Sequence, residues 1–232
     1  MRTSRAFRRT AALIAGAATV LALAACGQED GDKEAGTTTL PVTDSFPITI
    51  EHAFGEAVIE KEPQRVVTWG WGSTEAAIAN GVYPVAVAEQ LWTVGKGNLL
   101  PWVEDAYDEA GVKHPTLLPD DGTGATVPYD EIIAAKPDLI LAPYSGITED
   151  QYKQLAEITT TVAYPEGPWT TTWDDTIRIT AKALGRSANG DKVLADIDKY
   201  LADEAKKHPE FEGRTIAALY PAPSAISLYT EL

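Results

Sequence analysis

Apolar and polar residues along this chain switch between a period of two and a period near 3.6. Residues 48–50 and 57–59 flank Phe54-Gly55, with polar residues between apolar ones, which predicts a β-hairpin that Pro63 stops. Arg65-Val66-Val67-Thr68-Trp69 is a β-rich run. After Gly70-Trp71-Gly72, residues 73–79 read as a helix capped by Ser73 and stopped at Asn80-Gly81. A strand over 84–88 follows. The pattern then predicts a helix over 100–110 ended by Gly111, a helix over 129–135 opened by Pro128 and a buried strand over 138–142. A helix over 149–158, a strand over 160–163 and a helix over 173–184 come next. Strands separated by helices of this length predict parallel βαβ units, so the class is α/β. Residues 188–208 hold the longest helical pattern, with Val193, Leu194, Ile197, Tyr200 and Leu201 at helical spacing. At 1.5 Å per residue that is a rod of roughly 30 Å. A new strand begins over 214–220.

The first twenty-six residues carry a different signal. Residues 1–9 are basic, residues 11–25 carry no charge, and Leu23-Ala24-Ala25-Cys26 follows. That order predicts an export signal over 1–25, and the apolar run is shorter than the ~20 residues a spanning helix needs. The tetrapeptide resembles the bacterial lipobox, which implies that Cys26 carries a lipid and anchors the chain to a membrane. Arg8-Arg9 leaves both the general and the twin-arginine export routes open. Residues 27–39 hold no large apolar side chain, so a flexible tether is expected over 26–46.

Composition narrows the function. With 44% hydrophobic and 23% charged residues among 232, the chain as a whole is globular. Its formal net charge is -15, and a surface that acidic repels phosphate backbones, so no nucleic-acid partner is expected. A single cysteine excludes a disulfide framework.

Pro63-Gln64-Arg65-Val66-Val67, Ser73-Thr74-Glu75-Ala76, Gly81-Val82-Tyr83-Pro84-Val85 and the stretch from Tyr129-Asp130-Glu131 to Lys136-Pro137-Asp138-Leu139-Ile140 occur in an order that resembles one family. It is the family of ferric-siderophore and cobalamin substrate-binding lipoproteins of ABC importers. The resemblance implies two α/β lobes joined by one rigid helix, with the ligand between them. The expected organisation is a binding lobe over 47–172, a helical segment with the inter-lobe helix over 173–208, and the start of a second lobe over 209–232. The resemblance also implies a further lobe's worth of chain, roughly a hundred residues, so a fragment or a frameshifted gene is expected.

Ligands of open α/β sheets lie beyond the carboxyl ends of the strands. Four of the six tryptophans (Trp69, Trp71, Trp92, Trp169) fall in those loops, where Tyr144, Ser145 and Lys96 also lie. These seven residues are the expected ligand contacts. Aromatic walls with polar donors suit a bulky ferric chelate. The loops offer one base, Lys96, against Glu89 and Glu166, which favours a neutral or cationic hydroxamate over an anionic catecholate. Glu131 complements the dipole of its helix. The resemblance gives it a second role, docking on an arginine of the ABC permease. The expected protein is a monomeric capture protein that delivers a ferric siderophore, without catalysis or cofactor. Cobalamin or haem is the alternative ligand within the same fold. His52, His114 and His208 read as surface side chains without ligand spacing, so a metal-ion binder is disfavoured. Gly70-Trp71-Gly72-Ser73-Thr74 lacks a nucleophile elbow's last glycine, which disfavours an exported hydrolase.

Overall fold

Strands β1 (Ile48–His52) and β2 (Gly55–Ile59) pair antiparallel, Ile48 opposite Ile59, and bury every second side chain of β1. The computed structural model describes Gly36 and residues 38–91, 96–121, 126–222 and 225–228. A five-stranded parallel sheet follows the hairpin: β3 (Val66–Thr68), β4 (Ala86–Ala88), β5 (Thr116–Leu118), β6 (Leu139–Leu141) and β7 (Thr161–Val162), in spatial order β5-β4-β3-β6-β7. Sequence pattern alone had no signal for β5, whose three residues lie at the sheet edge. Helices α1 (Ser73–Ala79), α2 (Pro101–Ala110), α3 (Tyr129–Ala135), α4 (Glu149–Ile158), α5 (Trp173–Ala183) and α6 (Ser187–Lys207) fall within a residue or two of expectation. The last strand does not. Residues 214–218 are irregular, and a separate antiparallel pair, β8 (Leu219–Ala222) with β9 (Ala225–Leu228), follows them.

The sheet is covered on both faces. Val67, Trp69 and Ile140 point to one face and pack with Ile132 of α3 and Leu155 of α4. Val66, Leu139 and Leu141 point to the other, against Ala77 of α1, Ala183 of α5 and the inner side of the hairpin. Strands buried on both faces need continuous apolar runs rather than alternation, and Leu139-Ile140-Leu141 is one. The α5–α6 crossing is close because Gly190 leaves room for the Ala181 methyl.

The sequence motifs behind the family resemblance are cross-links. The Asp138 carboxylate accepts the backbone N–H groups of Gln64 and Arg65, both at 2.8 Å. Arg65 reaches back and donates to the carbonyls of Ala135 and Lys136, which end α3. Together they set β3 beside β6 in the register Val66 to Leu139.

Three expectations are corrected. Ser73 is not the cap of α1: Gly72, at φ 73°, holds that position, and Ser73 is already helical and buried. His52 is not on the surface. It is 7% exposed, its Nδ1 accepts from the Phe54 N–H, and its ring lies 4.8 Å from that of Tyr152. Burial lowers its pKa below the usual histidine range. The tether expected over 26–46 is also shorter than read. Thr39 N–H donates to Gly81, Thr43 N–H to Gly185, and Thr38 bridges Val82.

Arg186 locks that segment down. Its side chain is fully buried, and it donates to the carbonyls of Leu40 and Leu184 and to Glu62 Oε1 at 2.8 Å. Next to it, Asp44 accepts the Ser187 N–H and hydroxyl at the start of α6. Burial works to raise the Asp44 carboxyl, but the hydrogen bonds from Ser187 and Thr43 outweigh it and hold the pKa low. An arginine so placed leaves buried acceptors unpaired if removed. Arg186→Met should therefore destabilise the fold by about 3 kcal/mol, read as a urea midpoint about 1 M lower. An unchanged midpoint would show that the clamp is dispensable.

Candidate ligand-binding site

The site grows from the carboxyl ends of β3 and β6. The Trp69 N–H still donates to Leu141, so the ladder runs one residue past β3. Gly70 then adopts φ 87°, a left-handed backbone that costs glycine little. A Cβ there would overlap the Tyr144 carbonyl oxygen, and the Trp71 N–H bonds that same oxygen at 3.0 Å. The turn throws Trp71 outward, 45% exposed.

A second loop closes on the first. Thr171 Oγ1 donates to the Pro143 carbonyl, and the Trp169 N–H donates to the Ser145 carbonyl at 3.1 Å. Trp169 has φ 59°, a conformation that costs a bulky residue about 1–3 kcal/mol. Its indole packs where any side chain at Gly146 would sit. The result is an aromatic cluster. The Trp169 ring centroid lies 5.5 Å from that of Trp71 and 5.4 Å from that of Tyr144.

Trp71 and Tyr144 open onto a cavity of about 520 Å³, within the range of small-molecule sites. Ala76 and Ala79 of α1, Trp173 and Ile177 of α5, and Val193 and Ile197 of α6 line it. The lining is mostly apolar. Among the described residues, Glu75 is its one charged member, and its Oε1 accepts from Trp102 Nε1 at 3.2 Å.

Three of the seven expected contacts, Trp71, Tyr144 and Trp169, meet in the aromatic cluster, and the first two line the cavity. Two are corrected. Trp69 is 1% exposed and part of the core, because strand alternation sends it to the face of Val67 before Gly70 breaks the alternation. Ser145 is fully buried, and its hydroxyl donates to the Ala142 carbonyl at 2.9 Å. Trp92 lies outside the described residues, as does the side chain of Lys96. Cys26 lies outside them too. Glu89 is occupied structurally, accepting from Asn98 Nδ2 and from the Asp120 N–H. Glu131 is exposed in the first turn of α3, on the sheet face opposite α1 and α5.

Sequence reading missed Glu75, Thr171 and Trp173. Trp173 was legible in principle, as a tryptophan opening a helix two residues after a buried threonine. Asp174 beside it is not among the residues that line the cavity. Hydrogen bonds from Thr172 and Arg178 bring its carboxyl down to about 2. Among the described residues, no three His, Cys, Asp or Glu side chains are grouped to hold a metal ion.

Known proteins share this fold. A family model described as "Periplasmic binding protein" matches residues 66–231. A curated Bacillus subtilis protein named "Probable siderophore-binding lipoprotein YfiY" is 30% identical over 204 residues, 86% of this chain and 56% of that one. Streptococcus pneumoniae PiaA, solved in complex with ferrichrome, is 38% identical with a TM-score of 0.66, over 72% of this chain and 54% of that one. Staphylococcus aureus SirA, complexed with staphyloferrin B, is 25% identical with a TM-score of 0.58, over 74% and 55% respectively. The chain spans about half the length of the curated relatives it matches. On the extent of the family match and the shared arrangement of sheet and helices, the chain belongs to the periplasmic binding protein family.

Proposed function

We propose that this chain is part of an extracytoplasmic lipoprotein that captures a ferric siderophore and hands it to an ABC import permease. The observation that carries this reading is the aromatic cluster of Trp71, Tyr144 and Trp169 at the mouth of an apolar cavity of about 520 Å³. Rings held edge-on and tilted by a rigid backbone present π-faces and an indole N–H without ordering cost at binding. A chelate with a greasy skirt and polar oxygens uses both. The ligands named for PiaA and SirA are ferrichrome and staphyloferrin B, which supports a siderophore over cobalamin or haem. Capture of this kind needs no catalytic group.

In the same reading, residues 47–172 are the first binding lobe, α6 is the inter-lobe helix and residues from 209 begin a second lobe. Support comes from the far half of α6. Tyr200 and Leu201 continue its apolar stripe yet are 64% and 53% exposed, an apolar surface that a second lobe would cover.

Titration calorimetry with a neutral ferric trihydroxamate, with cobalamin and haem as comparisons, tests the ligand class. Trp71→Ala and Trp169→Ala should each weaken trihydroxamate binding about tenfold, ~1.4 kcal/mol. Unchanged affinity in both variants would remove the cluster from the site.

Delivery sits elsewhere on the molecule. Glu131 opposite a permease arginine would form an interfacial charge pair whose loss costs about 2–5 kcal/mol. Glu131→Arg should abolish iron uptake by cells while trihydroxamate affinity is retained; uptake at the normal rate would return Glu131 to helix-dipole duty alone.

Anchoring rests on Cys26. Cys26→Ala should shift the protein from the membrane fraction to the medium, and intact mass should show the diacylglyceryl group only in the wild type. A wild-type chain of unmodified mass would rule the anchor out.

A further inference from the structure

Among the described residues, Glu75 is the only acid that lines either cavity at the strand ends. Glu89 is held by Asn98 and Asp120, Asp174 by Thr172 and Arg178, and Asp138 by the start of β3. Glu75 is half-buried on α1 and, like Trp71, lines both the main cavity and a narrower one whose lining also includes Val87, Gln90 and Val103. The hydrogen bond from Trp102 Nε1 fixes the direction of its carboxylate. Among the described residues, neither cavity is lined by a lysine, arginine or histidine, and Glu75 has no ion-pair partner.

We propose that Glu75 sets the charge preference of the site, selecting ferric chelates that carry a positive charge, such as a trihydroxamate with a free ammonium arm, over neutral and anionic ones. This rests on the siderophore reading given above and names the ligand class within it. Two features act in the same direction. A carboxylate in a partly desolvated, apolar wall attracts a cation more strongly than it would in water. The faces of Trp71, Tyr144 and Trp173 also attract a cation through their quadrupoles. A triply anionic chelate meets the opposite sign from both. Glu75 in the first turn of α1 also complements the helix dipole, but that role alone gives no discrimination between ligands.

The test uses three probes on the full chain: a ferric trihydroxamate with a free terminal ammonium, the same chelate N-acetylated, and a ferric tris-catecholate. Acetylation removes the charge and leaves the iron centre untouched. The wild type should bind the ammonium chelate about tenfold tighter than the acetylated one, ~1.4 kcal/mol, and the catecholate weakest. Glu75→Gln keeps an acceptor for Trp102 and should bring the first ratio to within about twofold. In the wild type the ratio should also shrink as salt rises, since a half-exposed charge is screened. A wild-type ratio near one, or a ratio that persists in Glu75→Gln, overturns the inference while leaving the capture reading intact. If neither hydroxamate binds, the capture reading fails and the inference with it. Circular dichroism of Glu75→Gln separates loss of fold from loss of charge.

Discussion

The pairing of β3 with β6 is the constraint on which the rest of this structure depends, and one carboxylate holds its entrance. Asp138 takes two backbone N–H groups at the start of β3, while Arg65 caps the carbonyl end of α3 just before β6 begins. A carboxylate accepting two N–H bonds is a strong, directional contact. It sits where parallel strands have no hairpin to align them, and parallel register has to be set by long-range contacts of this sort. From that start, three residues of each strand run to Thr68 and Leu141. The loops that leave them, Gly70-Trp71 and Pro143-Tyr144, are consequently at fixed separation. A slip by one residue would exchange Val67 for Val66 on the face of α3 and α4 and turn the aromatic cluster away from its cavity.

A second constraint frames the first. Arg186 and Asp44 join the segment before the hairpin, the hairpin exit at Glu62 and the start of α6. Burying a guanidinium is costly, and it is tolerated because its N–H groups find two carbonyls and a carboxylate. The junction between α5 and α6 is therefore rigid. Trp173 and Ile177 of α5 face Val193 and Ile197 of α6 around the cavity, so that rigidity passes directly into the binding surface.

Much of this was legible in residue order. Helix α2 was plain because Gly111 ends it, in left-handed conformation, and α3 because Pro128 opens it; the capping box of Thr148 and Gln151 that starts α4 is a finding of the structure. Legibility failed where the answer depended on which way one residue turns. Trp69 and Trp71 are near neighbours in loops by composition, yet one is core and the other surface. The difference is the positive φ of Gly70, which arises from the close approach of Tyr144, 74 positions away. Ser145 and His52 were misread for the same reason: local polarity says nothing about whether a tertiary neighbour covers the group. Glu75 was invisible as a site residue because its significance comes from the cavity beside it and from Trp102, and neither is local.

The strained Trp169 brings these strands of argument together. A left-handed backbone at a tryptophan persists only where the surroundings over-determine it, and here they do. The Ser145 carbonyl holds its N–H, the missing side chain of Gly146 receives its indole, and Thr171 ties the loop to Pro143. Ser145, Gly146 and Pro143 all lie on the loop after β6, whose position follows from the Asp138 clasp. Ser145 thus has a part in the site after all, through its backbone and not its hydroxyl. The cluster is preorganised by covalent neighbours of the sheet rather than by the ligand, so binding should draw on ring faces already in place. On the other sheet face, α3 presents Glu131 to solvent from the helix that Arg65 caps. One clasp therefore positions both the proposed capture surface and the residue proposed for delivery, and it does so on opposite faces, where a chelate and a docked partner would not compete for the same side chains.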